Sequence, residues 1–311
     1  MRPGTVFIRL CRVSLIGAVV ACSSSARHAT VDVPVVSTLD VHRFLEAARH
    51  IPATDSMCAP FGRYLREGSA GLAAYAHKFS VGRAELCAAL HQRPTRYAAL
   101  DTLVPALDAA AKRIGALLAR FQSISPTAQM PDVYVVVGSG ISGGTTVRGR
   151  SPMILVGAEL MRSAARLPRT VAHELAHTQQ QYPWWGMLTG GPSFLRATVL
   201  RQSLTEGVAD VVAEVLTGEP KRNAYGEAHE AALWTEFQRD MHSHDYGAWL
   251  YNGRNLPAGS DRPGDLGYWM GYRIAKAYYD RIPDKSRAMR DLLTIRDFDA
   301  FLQASGYRGG A

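Results

Sequence analysis

His173-Glu174-Leu175-Ala176-His177 is the stretch on which the reading of this 311-residue chain turns. On a helix, side chains four apart lie one above the other on one face. The two imidazoles can therefore converge on one metal ion, while Glu174, about 100° round the helix, can reach a water beside that ion. The flanks favour a helix. Pro168 and Thr170 suit a first turn, and Val171, Ala172, Leu175 and Ala176 supply apolar positions beside the candidate ligands. A chance match on a core helix is the plain alternative, so the reading depends on a third ligand.

A catalytic zinc takes three protein ligands and keeps one position open. A third histidine six residues on, after a glycine, is excluded, because Gln180 and Pro183 stand at those places. The better source is the run Ser203-Leu-Thr-Glu206-Gly207-Val-Ala-Asp210-Val-Val-Ala-Glu214. Glu206 and Asp210 are four apart and face one way on a second helix. Glu206 can bind the metal while Asp210 accepts the N–H of a ligand imidazole and fixes its tautomer. Gly207 removes a side chain where two helix backbones need to approach closely. Taken without the first motif, the same run reads as two solvated acids on an amphipathic helix.

His-Glu-x-x-His followed by Glu-x-x-x-Asp resembles the gluzincin metallopeptidases, of which thermolysin is one branch. Three further stretches are similar to a bacterial family of zinc-dependent protease lipoproteins related to gliding-motility lipoproteins: the Gly-rich run 138–146, Ala224–Trp234, and Gly267-Tyr-Trp-Met-Gly-Tyr-Arg273. The resemblance covers roughly 130–307. It implies a zincin-like catalytic domain with a small sheet packed on the motif helix, and peptidase chemistry without a named substrate. Tyr268 and Gly271 form Tyr-x-x-Gly, similar to the aminopeptidase branch, whose tyrosine donates to the developing oxyanion. Tyr272 and His229 are the other candidates for that donor, and packing aromatics on a helix is the alternative for the whole stretch.

With 47% apolar and 20% charged residues, the composition is that of an ordinary globular protein with ample core. Arg2, Arg9 and Arg12 precede a short apolar run, Val13–Ala21, too short to span a bilayer. Val19-Val20-Ala21-Cys22 is similar to a bacterial lipobox, so residues 1–21 read as a signal peptide, Cys22 as the acylated residue, and 22–34 as a lipidated tether. An ordinary secretory signal cut near Ala21 or Ser25 is the other reading, and both export the chain to the cell envelope. Three of the 35 basic residues and none of the 27 acidic ones lie in the removed segment, so the formal +8 becomes +5. With no long basic run or aromatic-interleaved patch, nothing points to nucleic acid. Cys58 and Cys87 remain as an even pair in an oxidising compartment, expected as a disulfide or else as two buried thiols.

Residues 35–125 read as a helical layer, with Phe44, Leu45 and Ala48 opening it and Leu100, Leu103, Leu107, Ile114 and Leu117 recurring near three and four. Its histidines, His42, His50, His77 and His91, fall singly and read as scaffold. Residues 126–311 read as the catalytic region, in one compact domain with that layer. Val133–Val137 and Met153–Val156 are strand-like. Gly138, Gly140 and Gly143 imitate a dinucleotide fingerprint, but Val147-Arg-Gly-Arg-Ser-Pro152 follows where a helix should begin. Gly144 likewise stands where a phosphate loop needs its lysine. A hairpin with a mobile Gly-rich tip is the expectation, and Met153–Val156 is the nearest candidate for the edge strand on which gluzincins hold substrate backbone.

The aromatic run Gln181–Met187 either walls a pocket or caps the core. Asp265 suits an N-cap for a helix through Arg281, and Asp297–Gly306 a final capped helix. The expected architecture is α+β and predominantly helical. The expected function is zinc-dependent peptide hydrolysis in the bacterial envelope, with Zn2+ on His173, His177 and Glu206, Glu174 as base and Tyr268 as oxyanion donor. The partners are a peptide or protein substrate and the membrane, through the lipid. A non-catalytic, zinc-stabilised envelope lipoprotein acting as an assembly factor is the competing reading, although a purely structural site leaves Glu174 without a role. Esterase or amidase action at the same zinc is not separable from peptidase action on these residues.

Overall fold

Val133, Val135, Val136 and Val137 are fully buried, as are Ile154, Leu155 and Val156. Continuous apolar runs of this kind belong to strands covered on both faces. They form β2 (Asp132–Val136) and β4 (Met153–Gly157), paired in parallel with Val133 opposite Ile154. Two short strands complete a mixed sheet of order β1-β2-β4-β3. β1 (Val36–Ser37) runs parallel to β2, and β3 (Thr145–Val147) antiparallel to β4. The protein is α+β and predominantly helical. This computed structural model describes residues 33–183, 197–253, 256 and 259–310. The signal segment, Cys22, most of the tether and the tryptophans Trp184 and Trp185 lie outside them.

Six helices follow β1: α1 (Leu39–Arg49), α2 (Pro60–Arg66), α3 (Ala70–Phe79), α4 (Arg83–Gln92), α5 (Pro94–Ala111) and α6 (Ile114–Ile124). α1 and α3 pack on β2, where the bare Cα of Gly71 admits the Tyr134 ring. Cys58, just before α2, is disulfide-bonded to Cys87 on α4. After the sheet come α7 (Leu167–Gln179), α8 (Val199–Thr217), α9 (Ala224–Ala228), α10 (Glu230–Asp240), α11 (Leu266–Arg281), α12 (Lys285–Leu293) and α13 (Phe298–Ser305). α7 lies against β3 and β4 and beside α8. Residues 34–311 cluster as one compact unit.

α8 is the central helix, buried along most of its length between α7 and α11. A Cβ on Gly207 would fall 2.0 Å from the Gly271 carbonyl carbon, and one on Gly271 would fall 1.8 Å from the Ser203 oxygen. The close approach expected at Gly207 is therefore made, with α11 as the partner. The last helix also forms as expected: Asp297 accepts N–H bonds from Asp299 and Ala300, and Gly306 closes it in the left-handed region at φ 67°.

Three expectations are corrected. Met153–Val156 is not an edge strand, because β2 and β3 flank it; the edge on the side of α7 is β3. The Gly-rich run is not a hairpin tip between β2 and β4, which are parallel and cannot be joined by a tight turn. Nor is it untethered. Tyr97 donates to the Gly138 carbonyl at 2.9 Å and Tyr75 to the Ser142 carbonyl at 3.1 Å. The buried Glu159 accepts from the N–H of Gly140, itself at φ 81°. Finally, Asp265 sits at the N-cap position but caps nothing, since its backbone is left-handed at φ 62°. Its carboxylate instead accepts from the Asn252 N–H at 3.0 Å, and Asn252 Oδ1 accepts from the Asp265 N–H at 2.7 Å.

Candidate metal centre

α7 begins with Pro168 in its first turn and turns Leu167, Val171, Ala172, Leu175 and Ala176 into the core. That amphipathic register leaves His173 and His177 on the face toward α8, where Glu206 and Asp210 meet them. The Nε2 atoms of the two histidines are 3.1 Å apart, and Glu206 Oε2 is 3.3 Å from the first and 3.4 Å from the second. Among the described residues, two groups bring together enough ligand-type atoms to hold a metal: this one, and Cys58, Cys87 and His91. The latter's sulfurs are spent on each other.

Each imidazole is oriented through its other nitrogen. His177 Nδ1 donates to Gln180 Oε1 at 2.9 Å, while the Gln180 amide donates to the Thr205 carbonyl on α8. His173 Nδ1 lies 3.5 Å from Asp210 Oδ1. Asp210 also receives Arg169 at 3.3 Å and Lys221 at 2.5 Å. Both Nε2 atoms are thereby left facing Glu206. The second oxygen of Glu206 accepts from Gln202 Nε2 at 3.2 Å and from the Tyr251 hydroxyl at 3.4 Å, and Gln202 also donates to that hydroxyl at 2.7 Å.

The electrostatics follow from burial set against these partners. Burial resists charge on His173, but the hydrogen bonds and negative charges of Asp210 and Glu206 outweigh it and carry the imidazole up to about 10. His177 is also raised, with burial opposed chiefly by Glu206. Glu206 is held well below the usual carboxylate range, because His177 and His173 overcome the burial that would push it up. Glu174 moves the other way. Burial pushes its carboxyl up, and the nearby histidines only partly offset it.

Glu174 stands outside the ligand set, under the Gly-rich loop. A Cβ on Gly144 would meet its Oε1 at 2.7 Å. The Tyr268 phenol, near the start of α11, is raised far above its ordinary value, first by burial and then by the charge of Glu206. Its ring lies 6.3 Å from that of Tyr251, which bonds Glu206, and 5.6 Å from the Lys221 ammonium, which bonds Asp210. The Tyr272 hydroxyl instead donates to Glu214 at 2.6 Å. His229 is exposed, stacked on Tyr225 with ring centroids 4.1 Å apart, and engages the Tyr225 carbonyl at 2.9 Å. Of the three candidate donors, Tyr268 is the one whose ring packs against Tyr251, the tyrosine that bonds Glu206.

Gln180, Gln202 and Tyr251 were not among the expected site residues. Gln202 carried a signal, lying four before Glu206 on one continuous helix, whereas Gln180 stands just past the end of α7, where helical spacing no longer predicts its direction. Tyr251 carried none: it comes from a loop, at φ 58°, and is brought in by the Asn252–Asp265 clasp.

Residues 226–309 match the family model described as gliding motility protein GldB. The match supports a relationship to that lipoprotein family over this segment. It runs from α9 through α13, takes in Tyr251 and Tyr268, and leaves out the helices that carry His173, His177 and Glu206. No curated protein and no solved structure matches the chain.

Proposed function

We propose that the chain is a zinc-dependent peptidase of gluzincin type with a zincin-like catalytic region. The observation that carries this reading is the spacing of the three donors. An ion about 2.05 Å from each corner of a tetrahedron needs donor–donor edges of about 3.3 Å, and the cluster has 3.1, 3.3 and 3.4 Å. Two imidazoles and one carboxylate, with both Nδ1 atoms already occupied, make a donor set suited to zinc. A bound zinc would supply Lewis acidity, polarising a carbonyl and lowering the pKa of a water toward roughly 7. Glu174, outside the ligand set and beside it, would take a proton from the attacking water and pass it to the leaving amine. The Tyr268 phenol stays protonated throughout the physiological range and donates to the oxyanion.

The test is Glu174→Gln in the zinc-loaded chain. Zinc content should hold while peptide turnover falls by ~10²–10⁴. Undiminished turnover would remove Glu174 from the chemistry. A second reading, a zinc-stabilised assembly factor without catalysis, draws on the family match, which lies outside the ligand helices. Complementation of a deletion strain by the zinc-loaded Glu174→Gln chain, at normal abundance, would favour it.

The same reading places the chain in the cell envelope, lipid-anchored through Cys22. The lipoprotein family match supports it, and no helix among the described residues is long and apolar enough to cross a membrane. Retention of a processed Cys22→Ala chain in the membrane fraction would overturn the anchor.

A further inference from the structure

Two adjoining cavities, about 180 and 260 Å³, open along the first turn of α7 and share Arg166 and Thr170 in their walls. The smaller ends on His173 and Asp210, with Arg169 at its side. The larger runs beneath Gly143 to Arg162. Their charge is one-sided. Asp210 is the acidic group in the walls, and it is already divided among Arg169, Lys221 and His173. Arg162 and Arg166 are exposed and have no acidic partner within ion-pair distance among the described residues. Two arginines without an acidic partner, Arg162 and Arg166, and a third bound to Asp210, Arg169, thus line the cleft beside the His173–His177–Glu206 cluster.

The position of this cleft fixes what it can reach. Thr170 lies one helical turn, about 6 Å, before Glu174. The Cα of Gly144 sits over both, so that a Cβ there would be 3.1 Å from Thr170 Cγ2 and 2.7 Å from Glu174 Oε1. An extended peptide advances about 3.3 Å per residue. Arg166, at the N-cap of α7, lies eight residues or about 12 Å before Glu174, so a group held between Arg162 and Arg166 is roughly three or four residues from the bond being cut. Arginine forks match carboxylates in bidentate geometry and strengthen the bond by charge.

We propose that this arginine-walled cleft binds a carboxylate of the peptide substrate, from an Asp or Glu side chain or from a free C-terminus, roughly three or four residues from the scissile bond. The inference rests on the peptidase reading of the neighbouring cluster. It makes acidic peptides, or peptide ends, the preferred substrate class.

The test uses the full chain loaded with zinc and carrying Glu174→Gln, so that bound peptide is not consumed. Fluorescent hexapeptides bearing Glu at each position in turn are compared with their Gln counterparts, each as free acid and as C-terminal amide, by anisotropy titration. One Glu register, or the free acid, should bind roughly tenfold more tightly than its uncharged counterpart. Adding Arg162→Gln and Arg166→Gln should bring that ratio within about twofold, while Arg166→Lys, which keeps charge without the fork, should retain part of it. Zinc content and the thermal transition establish that the variants are folded. Equal binding of charged and uncharged peptides, binding of none, or a preference that survives the double substitution would overturn the proposal. Turnover of the same peptides by the chain with Glu174 intact separates the two readings. Cleavage without charge preference sinks the carboxylate cleft and leaves the peptidase. Charge-dependent binding without cleavage of any peptide sinks the peptidase and leaves a cleft for acidic peptides.

Discussion

The Cα of Gly144 lies over the carboxylate of Glu174 so closely that a methyl group there would stand 2.7 Å from Oε1. This contact ties the Gly-rich loop to the helix that carries the two histidines. The Gly-rich loop is held by Tyr75, Tyr97 and Glu159, two of them on the helices before the sheet. That loop in turn limits where the Glu174 side chain can go. The helical layer thus helps position Glu174, the base of the proposed reaction, as well as serving as scaffold.

Gly144→Ala should therefore act on rate before stability. The carboxylate is the end of a flexible side chain and can yield, but in a buried site it yields away from its working position. Displacements approaching 1 Å near reacting atoms cost up to about 10² in rate. We expect kcat to fall ~10-fold or more at unchanged zinc content. Full activity in a zinc-loaded Gly144→Ala chain would show that the loop does not constrain Glu174.

The parts of this molecule that were legible in the sequence are those whose logic is local. His173 and His177, and Glu206 and Asp210, meet because helical periodicity brings residues four apart onto one face, and that periodicity is written in adjacent apolar positions. Gly207 signalled a close crossing, but not that Gly271 was across it. The strands carried less. β1 and β3 are two and three residues long, with no alternation to read. The unbroken apolar character of Met153–Val156 was in fact a sign of an interior strand rather than an edge. Asp265 had the residue type of an N-cap, and its left-handed backbone gave the carboxylate to Asn252 instead. Tyr251 depends on that clasp, a contact between residues with no shared periodicity.

Orientation of the two imidazoles yields a second prediction. Gln180 and Asp210 each hold one ring by its Nδ1 side, and partners of this kind are worth about 10–100-fold in metal affinity. Gln180→Leu should weaken zinc binding within that range. Asp210→Asn should do so at least as strongly, since it also leaves Arg169 and Lys221 without their anion. Glu206→Gln, which removes a ligand, should weaken binding far more. Chelator competition on the three variants gives the order directly. A site emptied by Asp210→Asn and left full by Glu206→Gln would make Asp210 the third ligand.

The metal-free chain should show a distinctive pH dependence. His173 is raised to about 10 in the folded state against about 6.5 unfolded. The stability it contributes is fully present below pH 6.5 and is lost as pH rises through 10. Glu174, with its carboxyl pushed up, opposes folding increasingly above its unfolded value and adds to the same loss. Glu206, held low, contributes above about pH 4.5 and loses that contribution in acid. With chelator present, the thermal transition should be highest between about pH 5 and 6.5 and fall steadily toward pH 10. Zinc replaces the protons on both histidines, so the loaded chain should lack that alkaline decline. Parallel alkaline declines with and without zinc would mean that these histidines do not govern the effect.

Three tyrosines near the centre should separate cleanly by what their hydroxyls touch. The Tyr268 ring packs beside Tyr251 and Lys221, and its phenol is the oxyanion donor of the proposed reaction, so Tyr268→Phe should lower kcat by on the order of 10²–10³ with zinc affinity nearly unchanged. The Tyr251 hydroxyl donates to Glu206 Oε1 and accepts from Gln202. Tyr251→Phe should therefore loosen the metal, by up to about tenfold, and affect turnover mainly through zinc occupancy. Tyr272 gives its hydroxyl to Glu214 on the far side of the α8–α11 crossing. Tyr272→Phe should leave kcat within about twofold and cost about 1.5–3 kcal/mol of stability, the range for a hydrogen bond to a charged group. Zinc titration, steady-state kinetics and thermal denaturation on the three variants read the three effects independently. If kcat collapses in Tyr251→Phe at saturating zinc while Tyr268→Phe stays active, the donor is the loop tyrosine, and the left-handed backbone at Tyr251 serves the chemistry directly.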